Sequence, residues 1–374
     1  MSKVKENLQE KHDTMLFKVL PITLNDLHQS ILVNSLIALK TNFYNDNFDN
    51  RRLKEEGGDN SRVFNALQHA FYLDWYFHNI EQCYQAYSLL EDEISRRLYL
   101  HLIAYRIGGH FSVKIPAGFL AEQEKIEAYR KLEKSSPSQL QVSGLLGVLN
   151  HFDLIFENKR YKIDCLGLEY CLARRQYFFS RELVCIAPND GDYVIDGGAC
   201  FGETALVFSN AVGDRGRVYA FEPVHEHLEI LRFNIEQFPL KNVVLHESGL
   251  ADQDVFAPPM KLEKYDPAFN VVNKTVPLRT IDSLVEKGEI EKIDFIKLDV
   301  EGAELTAIQG GMKSIAKFKP KMAISLYHKP NDLFEIIIFL EQNFPFYKFY
   351  IEHYTIDFGE TVLYCNPSVL DTTD

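Results

Sequence analysis

The chain opens on helical periodicity. Across residues 24–39, Leu and Ile recur at the three- and four-residue spacing that lines one face of a helix. Residues 63–87 carry a dense aromatic set, Phe64, Phe71, Tyr72, Trp75, Tyr76, Phe77 and Tyr84, which reads as a helix-packing core. Residues 89–107 place Leu90, Ile94, Leu98, Leu102 and Tyr105 near one face. Between these stretches, 45–60 includes Glu-Glu-Gly-Gly-Asp and predicts a loop.

After Gly191 the texture changes to short β-branched runs alternating with amphipathic stretches. Strands are predicted at 193–196, 217–221, 242–246, 293–299 and 321–327, and helices at 202–212, 224–238, 280–290, 301–317 and 331–343. Such alternation specifies a parallel sheet with helices on both faces. Residues 347–355 and 361–365 read as strands joined by a short turn at 357–359. Strands joined that tightly must be antiparallel. The expected fold is α/β: a mostly parallel Rossmann-like sheet with a C-terminal antiparallel hairpin, preceded by a mainly α-helical N-terminal region.

Composition narrows the function. The length, 374 residues, is enough for two cores, and 46% apolar with 25% charged residues is ordinary for a soluble globular protein. A net charge of −13 opposes a sequence-independent grip on phosphate backbones, so no nucleic-acid partner is expected. The six cysteines form no Cys-x-x-Cys pair and no metal-binding spacing. With no apolar N-terminal run, they read as reduced thiols of a cytoplasmic protein. Apolar bursts such as 336–340 are too short to span a bilayer.

The chemistry gathers at the predicted strand ends, where parallel sheets place their sites. Asp196-Gly-Gly-Ala-Cys-Phe-Gly202 ends one strand and opens a helix. Its glycines let the backbone approach a ligand, and the helix N-terminus offers N–H groups suited to a carboxylate or pyrophosphate. Glu222 closes the next strand, where an acid binds ribose hydroxyls. Together they predict a nucleoside pocket. The bland alternatives are a tight turn for Gly197, Gly198 and Gly202, and a helix-dipole charge for Glu222 before Pro223. A dinucleotide-dependent oxidoreductase is disfavoured, because the Gly-x-Gly-x-x-Gly pattern lacks its third glycine.

The fourth strand delivers Asp299-Val-Glu301-Gly-Ala-Glu304, and the fifth Ser325-Leu-Tyr327-His328. The unperturbed pKa of imidazole lies close to cellular pH, which makes His328 the candidate general base. Asp299 and Glu301 are candidates to orient an acceptor hydroxyl, with Asp299 also able to hold the imidazole or a ligand amino group. A carboxylate against a sulfonium would favour the ground state over a charge-neutralising transition state, which argues against that role. Glu301 and Glu304 have a dipole reading, and His328 a capping one. Asp299, Glu301 and His328 together admit a hard cation, although no metal is expected. His353 reads either as a pocket residue or as a satisfied strand residue. Pro258-Pro259, followed by Met260, is a proline turn and not a base-methylation motif.

These motifs resemble the FkbM-type methyltransferase family. The likeness rests on Val194-Ile-Asp-Gly-Gly-Ala199, Phe221-Glu-Pro223, Thr280-Ile-Asp282 and Ile296-Lys-Leu-Asp-Val-Glu-Gly-Ala-Glu304. It continues through Tyr327-His-Lys-Pro-Asn-Asp332, His353-Tyr-Thr355 and Glu360-Thr-Val-Leu-Tyr364, over roughly residues 160–366. It implies a class I methyltransferase fold, S-adenosylmethionine as cofactor, and O-methylation of sugars, glycan or lipid-linked intermediates, or polyketides. Gly197, Ala199, Gly202, Thr204, Pro223, Ser248 and Gly249 are cofactor-side candidates by their place at or beside the glycine turn and the strand ends. On that side the resemblance points to Asp196, Gly198, Glu222 and Asp299, with Tyr177 as an aromatic facing the cofactor. On the acceptor side it points to His328. Leu90-Glu-Asp-Glu-Ile-Ser-Arg96 resembles a segment ahead of some members' catalytic domains.

The expected organisation is a helical region at 1–150 that covers the acceptor or makes an oligomer contact. A connecting segment at 151–185 packs on the core, and 186–374 forms the S-adenosylmethionine-binding domain. The expected partner is a small-molecule or glycan acceptor, with a homodimer as the candidate assembly. The competing reading is a non-catalytic nucleoside-binding module in a glycan-biosynthesis assembly.

Overall fold

The computed structural model describes residues 20–36, 66–109, 113, 115, 123–142, 145, 147–238, 240–258, 275–355 and 357–368. The loop expected at 45–60, Phe64, Pro259 and Met260 lie outside the described residues. The chain divides into two compact units, residues 1–119 with 326–363, and residues 120–325 with 364–374.

Among the described residues, the N-terminal part of the first unit holds the helices α1 (Leu24–Leu36), α2 (Ala66–His78), α3 (Ile80–Leu89) and α4 (Glu93–Gly108). The aromatic stretch is therefore two helices, broken at Asn79. Trp75 and Tyr76 enter the core, whereas Phe71 and Phe77 stay about half exposed. An apolar sequence all round a helix does not say which side turns inward. Ile94 likewise faces out, beside the buried Leu90, Leu98 and Leu102. Helix α4 starts where Asp92 accepts a hydrogen bond from the Ser95 amide, 2.6 Å away. It stops at Gly109, with φ +67°, a value that glycine adopts without penalty.

The second unit opens with α5 (Gln123–Leu132), β1 (Ser135–Pro137), β2 (Asn150–Phe156), β3 (Lys159–Cys165) and α6 (Glu169–Leu172). Strands β1, β2 and β3 form an antiparallel sheet that the periodicity reading did not predict. β4 (Phe179–Arg181) and β5 (Val184–Ile186) form a small hairpin. The alternating region follows: β6 (Tyr193–Gly197), α7 (Glu203–Val212), β7 (Arg217–Phe221), α8 (His225–Gln237) and β8 (Val243–His246). Short strands β9 (Gly249–Leu250), β10 (Val255–Ala257) and β11 (Val276–Arg279) make a separate three-stranded sheet. Then come α9 (Ile281–Glu286), β12 (Phe295–Leu298), α10 (Glu304–Gln309), α11 (Met312–Phe318) and β13 (Lys321–Ser325).

Two expected helices are shorter. The Thr280 hydroxyl caps α9 by accepting from the Ser283 amide, and the helix ends before Gly288 at φ +73°. The helix expected over 301–317 is two helices, since Glu301 and Gly302 hold left-handed backbone and Gly310-Gly311 interrupts it. At Gly310 a Cβ would lie 1.9 Å from the Ala251 carbonyl oxygen, so the break allows two backbone segments to touch.

The chain ends with α12 (Asp332–Asn343), β14 (Tyr347–His353) and β15 (Thr361–Pro367). Within the first unit, Trp75 stacks on Phe334 of α12 and donates from Nε1 to Asn331 Oδ1 at 2.7 Å. The main sheet has seven strands in the order β14-β15-β13-β12-β6-β7-β8. Registered parallel pairs join β13, β12, β6, β7 and β8, and the C-terminal strands form an antiparallel hairpin. The strand order reverses between β6 and β12, as expected for a site at their carboxyl ends.

Candidate functional site

The glycine turn is built from strain that only glycine tolerates cheaply. Gly198 has φ +78°, and a Cβ on it would lie 1.8 Å from the Asp299 carbonyl oxygen. Gly202, at φ +101°, caps α7. Cys200 between them also takes positive φ. The turn's amides are committed inside the protein. Those of Gly198 and Ala199 donate to the Phe221 carbonyl, each at 3.0 Å, and that of Gly202 to the Ala199 carbonyl at 2.8 Å.

Glu222, at 4% exposure, binds back to the turn. Its Oε2 accepts from the Cys200 amide and its Oε1 from the Val224 amide, both at 2.9 Å. The structural and ligand readings of this acid coexist, because each carboxylate oxygen keeps a second lone pair. His227 Nδ1 lies 3.4 Å from Oε1, with its ring edge-on to Phe201. Beyond Glu222, Pro223 packs near Gly249, and Ser248 is buried.

At the end of β12, Asp299 donates its amide to the Gly197 carbonyl at 3.1 Å. Tyr177 donates its hydroxyl to Asp299 Oδ2 at 2.9 Å. Tyr177 is itself pinned: its backbone stands at φ +71°, and its amide donates to the Tyr364 hydroxyl at 3.0 Å. Gln176 Nε2 donates to the Tyr177 hydroxyl at 3.3 Å. A glycine turn, an acid at the end of the neighbouring strand and an acid at the switch point thus converge within one unit.

Residues 196–357 match the methyltransferase FkbM domain. No curated protein matches the chain significantly. Among solved structures, methyltransferase FkbM from Methylobacillus flagellatus KT is 19% identical, with a TM-score of 0.51. The match covers 78% of this chain and 60% of that one, so this chain spans less than two thirds of that protein's length. Fibrillarin from Aeropyrum pernix, in complex with natively bound S-adenosyl-L-methionine, is 14% identical over 63% of this chain and 99% of its own, TM-score 0.37. SMU.1697c, a putative methyltransferase from Streptococcus mutans in complex with SAH, is 16% identical over 47% and 89%, TM-score 0.31. The fold is that of class I methyltransferases.

Beneath the glycine turn stands a residue that the motif reading overlooked. Lys297, in the middle of β12, is 1% exposed. Its Nζ donates to the carbonyls of Gly198 at 2.8 Å and Gly197 at 3.0 Å. It also lies 3.2 Å from Asp196 Oδ1, a charge contact without hydrogen-bond alignment. Burial alone pulls the Lys297 pKa down, but the carboxylates of Asp196 and Asp299 outweigh it and hold the ammonium above its ordinary value. Asp196, wholly buried, accepts at Oδ2 from the Thr204 hydroxyl at 2.7 Å. The signal was available in sequence: a lysine within Phe-Ile-Lys-Leu, a strand of a parallel sheet covered on both faces, needs a buried partner.

Of the remaining candidates, Glu304 brings a carboxylate oxygen within 4.8 Å of one of Asp299. Glu301 is exposed, with left-handed backbone at φ +54°, and belongs to no helix. Glu304 does begin a helix and is wholly buried, with Oε1 accepting from the Val300 amide at 2.8 Å. His328 lies in the first unit, half-buried, its ring 4.2 Å from that of Tyr327. His353 is a satisfied strand residue, wholly buried, with Nδ1 2.9 Å from the Thr361 hydroxyl. All six cysteines are free thiols. No helix among the described residues is long and apolar enough to cross a membrane.

Proposed function

We propose that this chain binds S-adenosylmethionine and transfers its methyl group to a hydroxyl oxygen of a sugar, glycan intermediate or other small metabolite. The observation that carries the reading is the junction of Gly198, Glu222 and Asp299 around one turn, with Gly198 leaving no room for a side chain. The donor set fits the cofactor. Glu222 keeps lone pairs for ribose hydroxyls, and Asp299 offers a carboxylate for an amino or hydroxyl group. Bound there, the cofactor would supply an electrophilic methyl on a sulfonium.

The chain's own residues would bind, orient and exclude water. Asp299, held by Tyr177, is the group assigned to orienting the acceptor or the cofactor's amino group. His328 is the proposed proton acceptor on chemical grounds, since imidazole titrates near neutral pH. Glu301 is a second carboxylate proposed to orient the acceptor hydroxyl. A net charge of −13 favours a small or glycan acceptor over nucleic acid, and a cytoplasmic location agrees with six free thiols.

Calorimetry with S-adenosylmethionine and S-adenosylhomocysteine, followed by labelled-methyl transfer to a panel of sugars and glycan intermediates, tests the reading. The expected result is donor binding that Glu222→Ala abolishes, and turnover that His328→Ala lowers with binding retained. Absence of heat with both nucleosides would sink it. Binding without transfer to any acceptor would favour the nucleoside-binding module.

A further inference from the structure

We propose that Lys297 is a positioning residue for the methyl donor, locking the glycine turn in its binding shape without touching the donor itself. The inference rests on the S-adenosylmethionine reading above.

The turn's amides are anchored to the Phe221 carbonyl and to Glu222, and Lys297 holds its carbonyl side. Glycine populates both signs of φ, so the Gly197-Gly198 pair carries a large conformational freedom unless something fixes its peptides. Lys297 fixes both, by donating to the two carbonyls at 3.0 and 2.8 Å. The lock is tied to its surroundings. Asp196 approaches the ammonium at 3.2 Å and is held by Thr204 of α7, so β12, β6 and α7 meet at one charged contact. Residues of a central parallel strand are ordinarily apolar, and a buried ion pair is a weak source of stability compared with well-packed apolar side chains. What a lysine supplies here that Leu or Met cannot is directional hydrogen bonding to two carbonyls. At 1% exposure Lys297 acts through the turn, not as a contact group. A turn held in its bound conformation before the ligand arrives spares that ordering cost on binding.

The test measures S-adenosylhomocysteine affinity by calorimetry on the full chain, alongside the thermal unfolding transition. The variants are Lys297→Met and the double Asp196→Asn/Lys297→Met, which removes both charges and leaves none stranded. Expected are a folded double variant and, in each folded variant, a Kd roughly tenfold or more above wild type, from lost preorganisation. A folded variant that binds with wild-type Kd, whatever its transition temperature, overturns the proposal, because Lys297 then serves the fold alone. Failure of both variants to fold at 25 °C overturns it in the same way. If the wild-type chain itself does not bind, the donor reading fails first and takes this inference with it, a result readable before any variant is made.

Discussion

The hydroxyl of Tyr177 donates to Asp299 Oδ2 at 2.9 Å, joining a residue ahead of the main sheet to the carboxylate at its switch point. Tyr177 is 3% exposed and holds left-handed backbone. Such conformations are costly for bulky residues and persist where the surroundings over-determine them.

Removing that hydroxyl takes one hydrogen-bond partner from the Asp299 carboxylate. For Tyr177→Phe the ring contact with Phe208 is kept, while the hydrogen bonds to the Asp299 carboxylate and from Gln176 Nε2 are lost, the charged one alone costing about 1.5–3 kcal/mol. Methyl transfer is expected to fall at least roughly tenfold, with donor Kd changed far less, if Asp299 orients the acceptor. Steady-state kinetics with calorimetry distinguishes the two. An equal loss in both would assign Asp299 to the donor instead.

Lys297→Met strands the Asp196 carboxylate at 0% exposure. Breaking a buried pair on one side costs about 3–5 kcal/mol. The urea midpoint should fall accordingly, and Asp196→Asn in the same chain should restore most of it. A single substitution without effect on the midpoint would show the pair to be energetically silent.

Gly198→Ala meets two obstacles at once, a φ of +78° and a Cβ 1.8 Å from the Asp299 carbonyl. Left-handed backbone alone costs about 1–2 kcal/mol for a residue with a Cβ. The turn must therefore open away from β12. Thermal unfolding is expected to drop and S-adenosylhomocysteine binding to disappear. Wild-type binding in this variant would place the ligand elsewhere.

Acid should destabilise the first unit through two histidines. Burial pushes His353 down to about 3 and His101 to about 4. The unfolded chain takes up these protons near the ordinary value of about 6.5 while the folded chain does not, so stability falls as pH drops below that value. Near pH 5 the two together contribute a slope of about 2.7 kcal/mol per pH unit at most. Urea titrations at pH 7 and pH 5 measure it, and a flat or rising midpoint toward pH 5 would contradict the burial of both rings.

The sequence by itself determined the alternation of strands and helices after Gly191, the closing hairpin, and the glycine turn with its acid at Glu222. Those features are local: period, β-branching, glycine spacing and strand ends are readable without neighbours in space. Only the tertiary structure decided that 301–317 breaks into two helices, because the reason is a contact between Gly310 and Ala251, far apart in the chain. It likewise decided that Phe71 and Phe77 face outward while Trp75 turns in, and that 135–165 pairs as strands. In the candidate site, the residue types at 196, 222 and 299 were legible as motif members. That Lys297 holds the turn, and Tyr177 holds Asp299, was not, since a hydrogen bond between residues 122 positions apart leaves no periodicity to read.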